Sequence, residues 1–162
     1  MEEKLSTNVK LSEVTKSKTA SQLGLDNTPT PEHKANLKKV LENVFEPLRT
    51  GMGNKPIYIS CGYRGKAVNE ATKGASKTSF HCTGHALDLD ADVFGGMTNK
   101  DIFYYIKNNL NYAELIWEFG TTSNPDWVHV AFVEGDNSKE TLRAYSSMFN
   151  EKPKTKYVNF DL

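Results

Sequence analysis

At 162 residues, with 20 Lys+Arg balanced by 20 Asp+Glu and no formal net charge, the chain has the size of one domain able to bury its own core. It carries no global field to draw it to nucleic acid or to an anionic membrane surface, which leaves recognition to a local site. No apolar run reaches the roughly eighteen residues of a membrane span, and two cysteines, Cys61 and Cys82, are too few for a disulfide framework, so both read as free thiols.

The first residues, Met1-Glu2-Glu3-Lys4-Leu5-Ser6, hold no apolar export segment, and the expectation is synthesis in the cytoplasm without a signal peptide. Residues 1–24 read as a weakly helical lead-in, closed by turn chemistry at Gly24-Leu25-Asp26-Asn27-Thr28-Pro29. A stronger helix starts with Thr30 as N-cap and Pro31 in its first turn, and Leu37, Val40, Leu41, Val44, Phe45 and Leu48 form one apolar stripe along it. A short strand of β-formers, Ile57-Tyr58-Ile59-Ser60, comes next, followed by a brief helix near residues 67–73. From Ala86 the chain alternates: Ala86, Asp88 and Asp90 share one face of a strand, and Leu87 and Leu89 take the core face.

Thr98 is placed to cap a helix whose buried side carries Ile102, Phe103, Ile106 and Leu110. Two strands follow, at residues 115–119 and 127–132. In the second, Val128, Val130 and Phe132 share a face while Trp127, His129 and Ala131 take the other, which turns His129 away from the core. Asn137 or Ser138 is expected to cap a last helix through Tyr145, and residues 151–162 to form a peripheral Lys-rich tail.

Three of the four histidines, His81, His85 and His129, fall on or beside strands with acidic neighbours. A catalytic zinc ion takes three protein ligands from His and Asp/Glu and leaves its fourth position to water. His81, Asp88 and His129 meet that specification, since a turn at Thr83-Gly84 lets the first two converge and a neighbouring strand can deliver the third. Spacing alone equally allows satisfied polar side chains. His85 is the alternative ligand, but Asp88 lies three residues on and therefore on the opposite strand face, which leaves His85 at the site rim. Asp88, Asp90 and Asp92 are too few oxygens for calcium or magnesium, and no motif accompanies Cys82 as a nucleophile.

The run Ser79-Phe80-His81-Cys82-Thr83-Gly84-His85-Ala86-Leu87-Asp88 resembles the S-x-H-x-x-G-x-A-x-D signature of the D-alanyl-D-alanine carboxypeptidase-like (M15) metallopeptidases. Ser60-Cys61-Gly62-Tyr63-Arg64 is similar to that family's strand ending in a G-Y-R turn, and Asp126-Trp127-Val128-His129 to its acid-x-x-His element. The likeness spans roughly Thr19 to Phe132; Gly65 and Cys82 depart from the family pattern without removing a ligand. It implies an α+β fold of the Hedgehog/D-alanyl-D-alanine peptidase-like kind, a small antiparallel sheet with helices on one side and zinc in a cleft on the open face. Carried over by position, it implies one Zn2+ on His81, Asp88 and His129, Asp126 as general base and Arg64 as the substrate-binding guanidinium. Glu118 is the rival base, and Ser79, Tyr63, His85 and Trp127 are expected to support the site or the substrate.

The activity so implied is hydrolysis of an amide in the stem peptide or cross-bridge of bacterial peptidoglycan, as in phage endolysins. The protein is expected to act as a monomer on the cell wall after release or delivery, with no nucleic-acid partner and no membrane insertion. Two other functions fit the same residues: a wall-binding module with structural zinc, and a dipeptidase for free D-alanyl-D-alanine.

Overall fold

The structure, a computed structural model, describes residues 1–161 and the backbone alone at Phe149. Among the described residues six strands form one sheet: β1 (Tyr58–Cys61), β2 (Ala86–Asp90), β3 (Glu114–Glu118), β4 (Trp127–Ala131), β5 (Glu140–Phe149) and β6 (Lys152–Asn159), in the order β1-β2-β4-β3-β5-β6. All neighbours are antiparallel except β3 and β5, which run parallel. The expected α+β class with a mostly antiparallel sheet is what the chain adopts.

The helices are α1 (Leu11–Thr15), α2 (Lys18–Leu23), α3 (Pro31–Val40), α4 (Glu46–Gly51), α5 (Lys66–Ala71) and α6 (Asn99–Asn109). Thr30 caps α3 by accepting from the His33 amide, and Thr98 and Asp101 form a reciprocal capping box on α6. Between α3 and α4 the chain loosens into one π turn, Leu41–Phe45. It sits just before Pro47, whose ring and missing N–H disfavour a regular α continuation. The lead-in is two short helices, not one, because Lys16 leaves α1 with ψ of 136° and Ser17 then caps α2.

Val14, Leu37, Val40, Leu41, Val44, Ile102, Phe103 and Ile106 pack with Leu87, Leu89, Leu115, Trp117, Val128 and Val130 in one buried cluster. Strands β1 to β4 each give their odd or even set to this cluster and turn the other set to the opposite face. Truncating one of these leucines to alanine costs about 2–5 kcal/mol.

The C-terminal part differs from the sequence expectation. Residues 140–145, expected to end a helix, belong instead to β5, and most of the expected peripheral tail, from Lys152 on, forms β6 at the edge of the sheet. A two-residue turn joins them, with Asn150 at φ 49° and Glu151 at φ 60°, the left-handed pair of a type I′ hairpin. Beyond β6, Phe160 returns to the helix-covered face and packs on Phe103 and Trp117, with ring centroids 4.7 and 5.7 Å away. The hairpin is thereby tied into the core.

Candidate metal centre

Strand pairing aligns the site. Asp88 on β2 pairs with His129 on β4, His129 with Ile116 on β3, and Ile116 with Leu142 on β5. Directly paired residues point to the same side, so this row lies on the face opposite the leucines. The next row is Trp127, Glu118, Ala144 and Tyr157, read across β4, β3, β5 and β6.

His81 reaches Asp88 from outside the sheet. It sits in a 3-10 turn, Phe80–Thr83, capped by Ser79, whose hydroxyl accepts from the His81 amide. The turn ends at Gly84, with φ +77°, where a Cβ would lie 2.3 Å from the His33 carbonyl oxygen. Only glycine fits there. Gly84→Ala combines left-handed strain with a backbone clash, so it is expected to destabilise the protein by about 3 kcal/mol, read as a lowered urea midpoint.

The G-Y-R turn is held from the other side. Tyr63 N donates to Val14 O and Arg64 N to His81 O. Asn27 donates to the Thr15 and Tyr63 carbonyls and accepts from Gly65 N. A Cβ on Gly62 would meet Val14 O at 2.5 Å, so this glycine lets α1 close down on the strand end.

The result is a compact triad. His81 Nε2 lies 3.1 Å and His129 Nδ1 3.0 Å from the same oxygen, Asp88 Oδ1, and the two imidazole centroids are 5.0 Å apart. Both histidines are buried. His81 Nδ1 bonds the Gly62 carbonyl oxygen at 2.6 Å. His129 Nε2 lies 2.9 Å from Glu114 Oε1, an ion-pair contact set off the N–H axis and short of a full hydrogen bond.

Two edges of this donor set suit a first-row divalent metal: bonds of about 2.0–2.2 Å in a tetrahedron place ligand atoms about 3.3 Å apart, close to the 3.0 and 3.1 Å spacings at Asp88. Among the described residues, His129 falls outside the group of ligand atoms that all lie within 4.8 Å of one another. Each histidine also has its remaining nitrogen beside an oxygen, the arrangement that orients metal-bound imidazoles. Cys61 adds a group that sequence reasoning passed over: a ligand atom from each of Cys61, His81 and Asp88 lies within 4.8 Å of the others. Its Sγ is 3.8 Å from His81 Nδ1, the nitrogen facing away from Asp88. A bulge between Ile59 and Cys61 brings Cys61 opposite Asp88, and no sequence signal marks that bulge.

Electrostatics bind the cluster together. Burial would raise the Asp88 carboxyl, but His81 and His129 hold it far below the usual carboxylate range. Burial works against protonating His129 too, yet the hydrogen bond to Asp88 and the close contact with Glu114 lift it to about 9. His81 is likewise raised well above the ordinary value, by Asp88 and Cys61 against the effect of burial. Glu118 moves the opposite way for a carboxylate: burial pushes it up to about 7, with Asp88 and Glu114 adding to the rise.

The triad opens into a cleft of about 380 Å³ lined by Arg64, Ser79, Phe80, Glu114, Glu118, Trp127 and Tyr157, among others. Arg64 Nη2 is 3.4 Å from Ser79 Oγ, and its buried Nε has no partner among the described residues. Three expected site residues stand elsewhere. Asp126 is exposed, on the loop entering β4, and is not among the residues lining the cleft. Its amide donates to Glu118 O and its carbonyl accepts from Asn99. Tyr63 is buried, with its hydroxyl 3.1 Å from His33 Nδ1. His85 Nδ1 is 2.7 Å from Thr83 Oγ1, away from the triad as strand parity requires.

A sheet face that presents two imidazoles and a carboxylate to an open cleft, each imidazole steadied from behind, is built as a metal-dependent hydrolase. The model of the Peptidase M15 family matches residues 7–131, and the chain belongs to that family. It is therefore a metallopeptidase by descent. No curated protein matches the chain.

Proposed function

We propose that the protein hydrolyses an amide bond in the peptide part of bacterial peptidoglycan, with one zinc ion held by His81, Asp88 and His129. The observation that carries the reading is the single Asp88 oxygen shared at 3.0 and 3.1 Å by two buried imidazoles beneath an open cleft. Zinc bound there supplies Lewis acidity toward the scissile carbonyl and makes a water molecule acidic enough to attack near neutral pH.

The chain's own residues do the rest. Glu118 sits on the cleft face beside the row of Asp88 and His129, and its raised pKa of about 7 suits a group that takes a proton from water and passes it to the leaving amine. Asp126, the base implied by family resemblance, is exposed outside that cleft. Arg64 offers a guanidinium with an unpartnered Nε to a substrate carboxylate or to a carbonyl oxygen gaining charge. Glu114 steadies His129, and the Gly62 carbonyl fixes the His81 tautomer that leaves Nε2, which faces Asp88, able to bind a metal ion.

Family membership supports peptide hydrolysis, and the motif resemblance favours wall peptide as the substrate. No helix among the described residues is long and apolar enough to cross a membrane.

The test is turbidity of purified cell walls, with mass spectrometry of the products. Wild type with zinc is expected to clear walls and release peptide fragments, and chelation to stop both. Walls left intact by a protein that still cleaves free D-alanyl-D-alanine would point to a dipeptidase. Binding without cleavage would point to a wall-binding module.

A further inference from the structure

The family match ends at residue 131, but the cleft does not. Leu142 on β5 and Thr155 and Tyr157 on β6 line it as well. Their positions follow from the register. Glu118 pairs with Ala144 and Ala144 with Tyr157, so all three share the cleft face.

Ala144 is fully buried and has the smallest side chain of its row. Two strand spacings separate Tyr157 from Glu118, about 10 Å between backbones, and a methyl group between them leaves room for the phenol to lean inward. Tyr157 remains 45% exposed, so part of the ring faces arriving ligand.

From this geometry we infer that the β5–β6 hairpin is the substrate-selecting wall of the cleft, and that Tyr157 touches the bound peptide by donating its hydroxyl hydrogen to a peptide carbonyl oxygen. The inference rests on the reading that the site cuts peptides. A neutral donor suits the place, because Glu118, Glu114 and Asp88 face the same cleft and disfavour a second anion on this side. Burial and those same carboxylates keep the phenol protonated. A carbonyl is therefore the acceptor, while the opposite wall, with Arg64, suits substrate carboxylate. Thr155 and Leu142 flank Tyr157 and shape the space for side chains.

The probe is the synthetic stem pentapeptide L-alanyl-D-γ-glutamyl-L-lysyl-D-alanyl-D-alanine, offered to zinc-loaded wild type and Tyr157→Phe. The substitution is expected to raise KM about three- to tenfold while kcat stays within about twofold, the loss of one neutral hydrogen bond to substrate. Calorimetric binding of the same peptide to chelated protein is expected to weaken by the same factor, with zinc stoichiometry and melting temperature unchanged. Equal KM and equal affinity in the two proteins would overturn the inference, as would a loss of zinc or stability that accounts for the change.

Should wild type leave the pentapeptide uncut but turn over another peptide from a mixed casein hydrolysate, the wall-substrate reading fails. Tyr157 is then judged by the same comparison on that peptide. A wild type that cuts no peptide sinks both.

Discussion

His129→Ala is expected to leave the protein folded but without stoichiometric zinc, and to abolish wall clearing. Removing a group that merely orients a ligand weakens metal binding by about 10- to 100-fold, so losing the ligand itself is expected to exceed that, on the order of a thousandfold. His81→Ala and Asp88→Ala should behave alike, since each takes away one corner of the same triad. Glu114→Gln, which alters only the contact behind His129, belongs to the milder class, with weakened affinity and measurable residual activity at saturating zinc. Elemental analysis after gel filtration, run beside the turbidity assay, reads both quantities. One equivalent of zinc retained by His129→Ala would sink the assignment.

Protons report on the same cluster. Without metal, His81 and His129 are held protonated above their ordinary range, His129 to about 9, by the carboxylates around them. A histidine raised on folding contributes stability that is complete below its unfolded value and lost as pH climbs through the folded one. Glu118, raised to about 7 by burial, acts in the same direction, since the native state favours its neutral form. The chelated protein is therefore expected to melt at progressively lower temperature between pH 5 and about 9. Zinc must displace the imidazole protons, so its apparent affinity should rise over the alkaline half of that window, with proton release on binding. A melting temperature of chelated protein that climbs from pH 6 to 9 would contradict the cluster's charge state.

The strands that carry this face were readable in the sequence because their signals are local. Two strands, Ala86–Asp90 and Trp127–Ala131, alternate cleanly, and that alternation by itself assigns Asp88 and His129 to the face away from the leucines. The helices α3 and α6 announced themselves through Thr30-Pro31 and Thr98-Asp101.

What escaped depends on distant partners. Tyr63 belongs to a motif that suggests substrate contact, but its ring is taken by His33, three decades of sequence away on α3. Cys61 is aimed by a bulge. The hairpin was hidden by its own turn: type I′ turns advertise themselves through Asn-Gly, whereas here Glu151 takes the second left-handed position. Its β5 strand, moreover, pairs in parallel with β3, a register that no short-range pattern encodes. The wall of the cleft that sequence reading left out is thus the part whose geometry is set by non-local pairing and by a residue in an unfavoured conformation.

The second large effect separates two carboxylates. Glu118→Gln is expected to lower kcat about a hundred- to ten-thousandfold, the usual contribution of a positioned acid–base group, while zinc stays bound. Asp126→Asn is expected to leave kcat within a few-fold of wild type. Glu118 is 6% exposed and lines the cleft beside Trp127. Asp126 begins the turn into β4, three residues before His129, where strand alternation and its exposure direct it away from the face that bears the metal ligands. Its backbone is nonetheless built into the structure, through bonds to Glu118 O and Asn99, so a moderate loss of stability in Asp126 variants would reflect the loop and not the chemistry. Metal content and kcat measured together on both variants decide the matter, because loss of a base removes turnover at full zinc occupancy. If Asp126→Asn collapses kcat and Glu118→Gln spares it, the loop must close over the cleft when substrate binds, and the proton passes to Asp126.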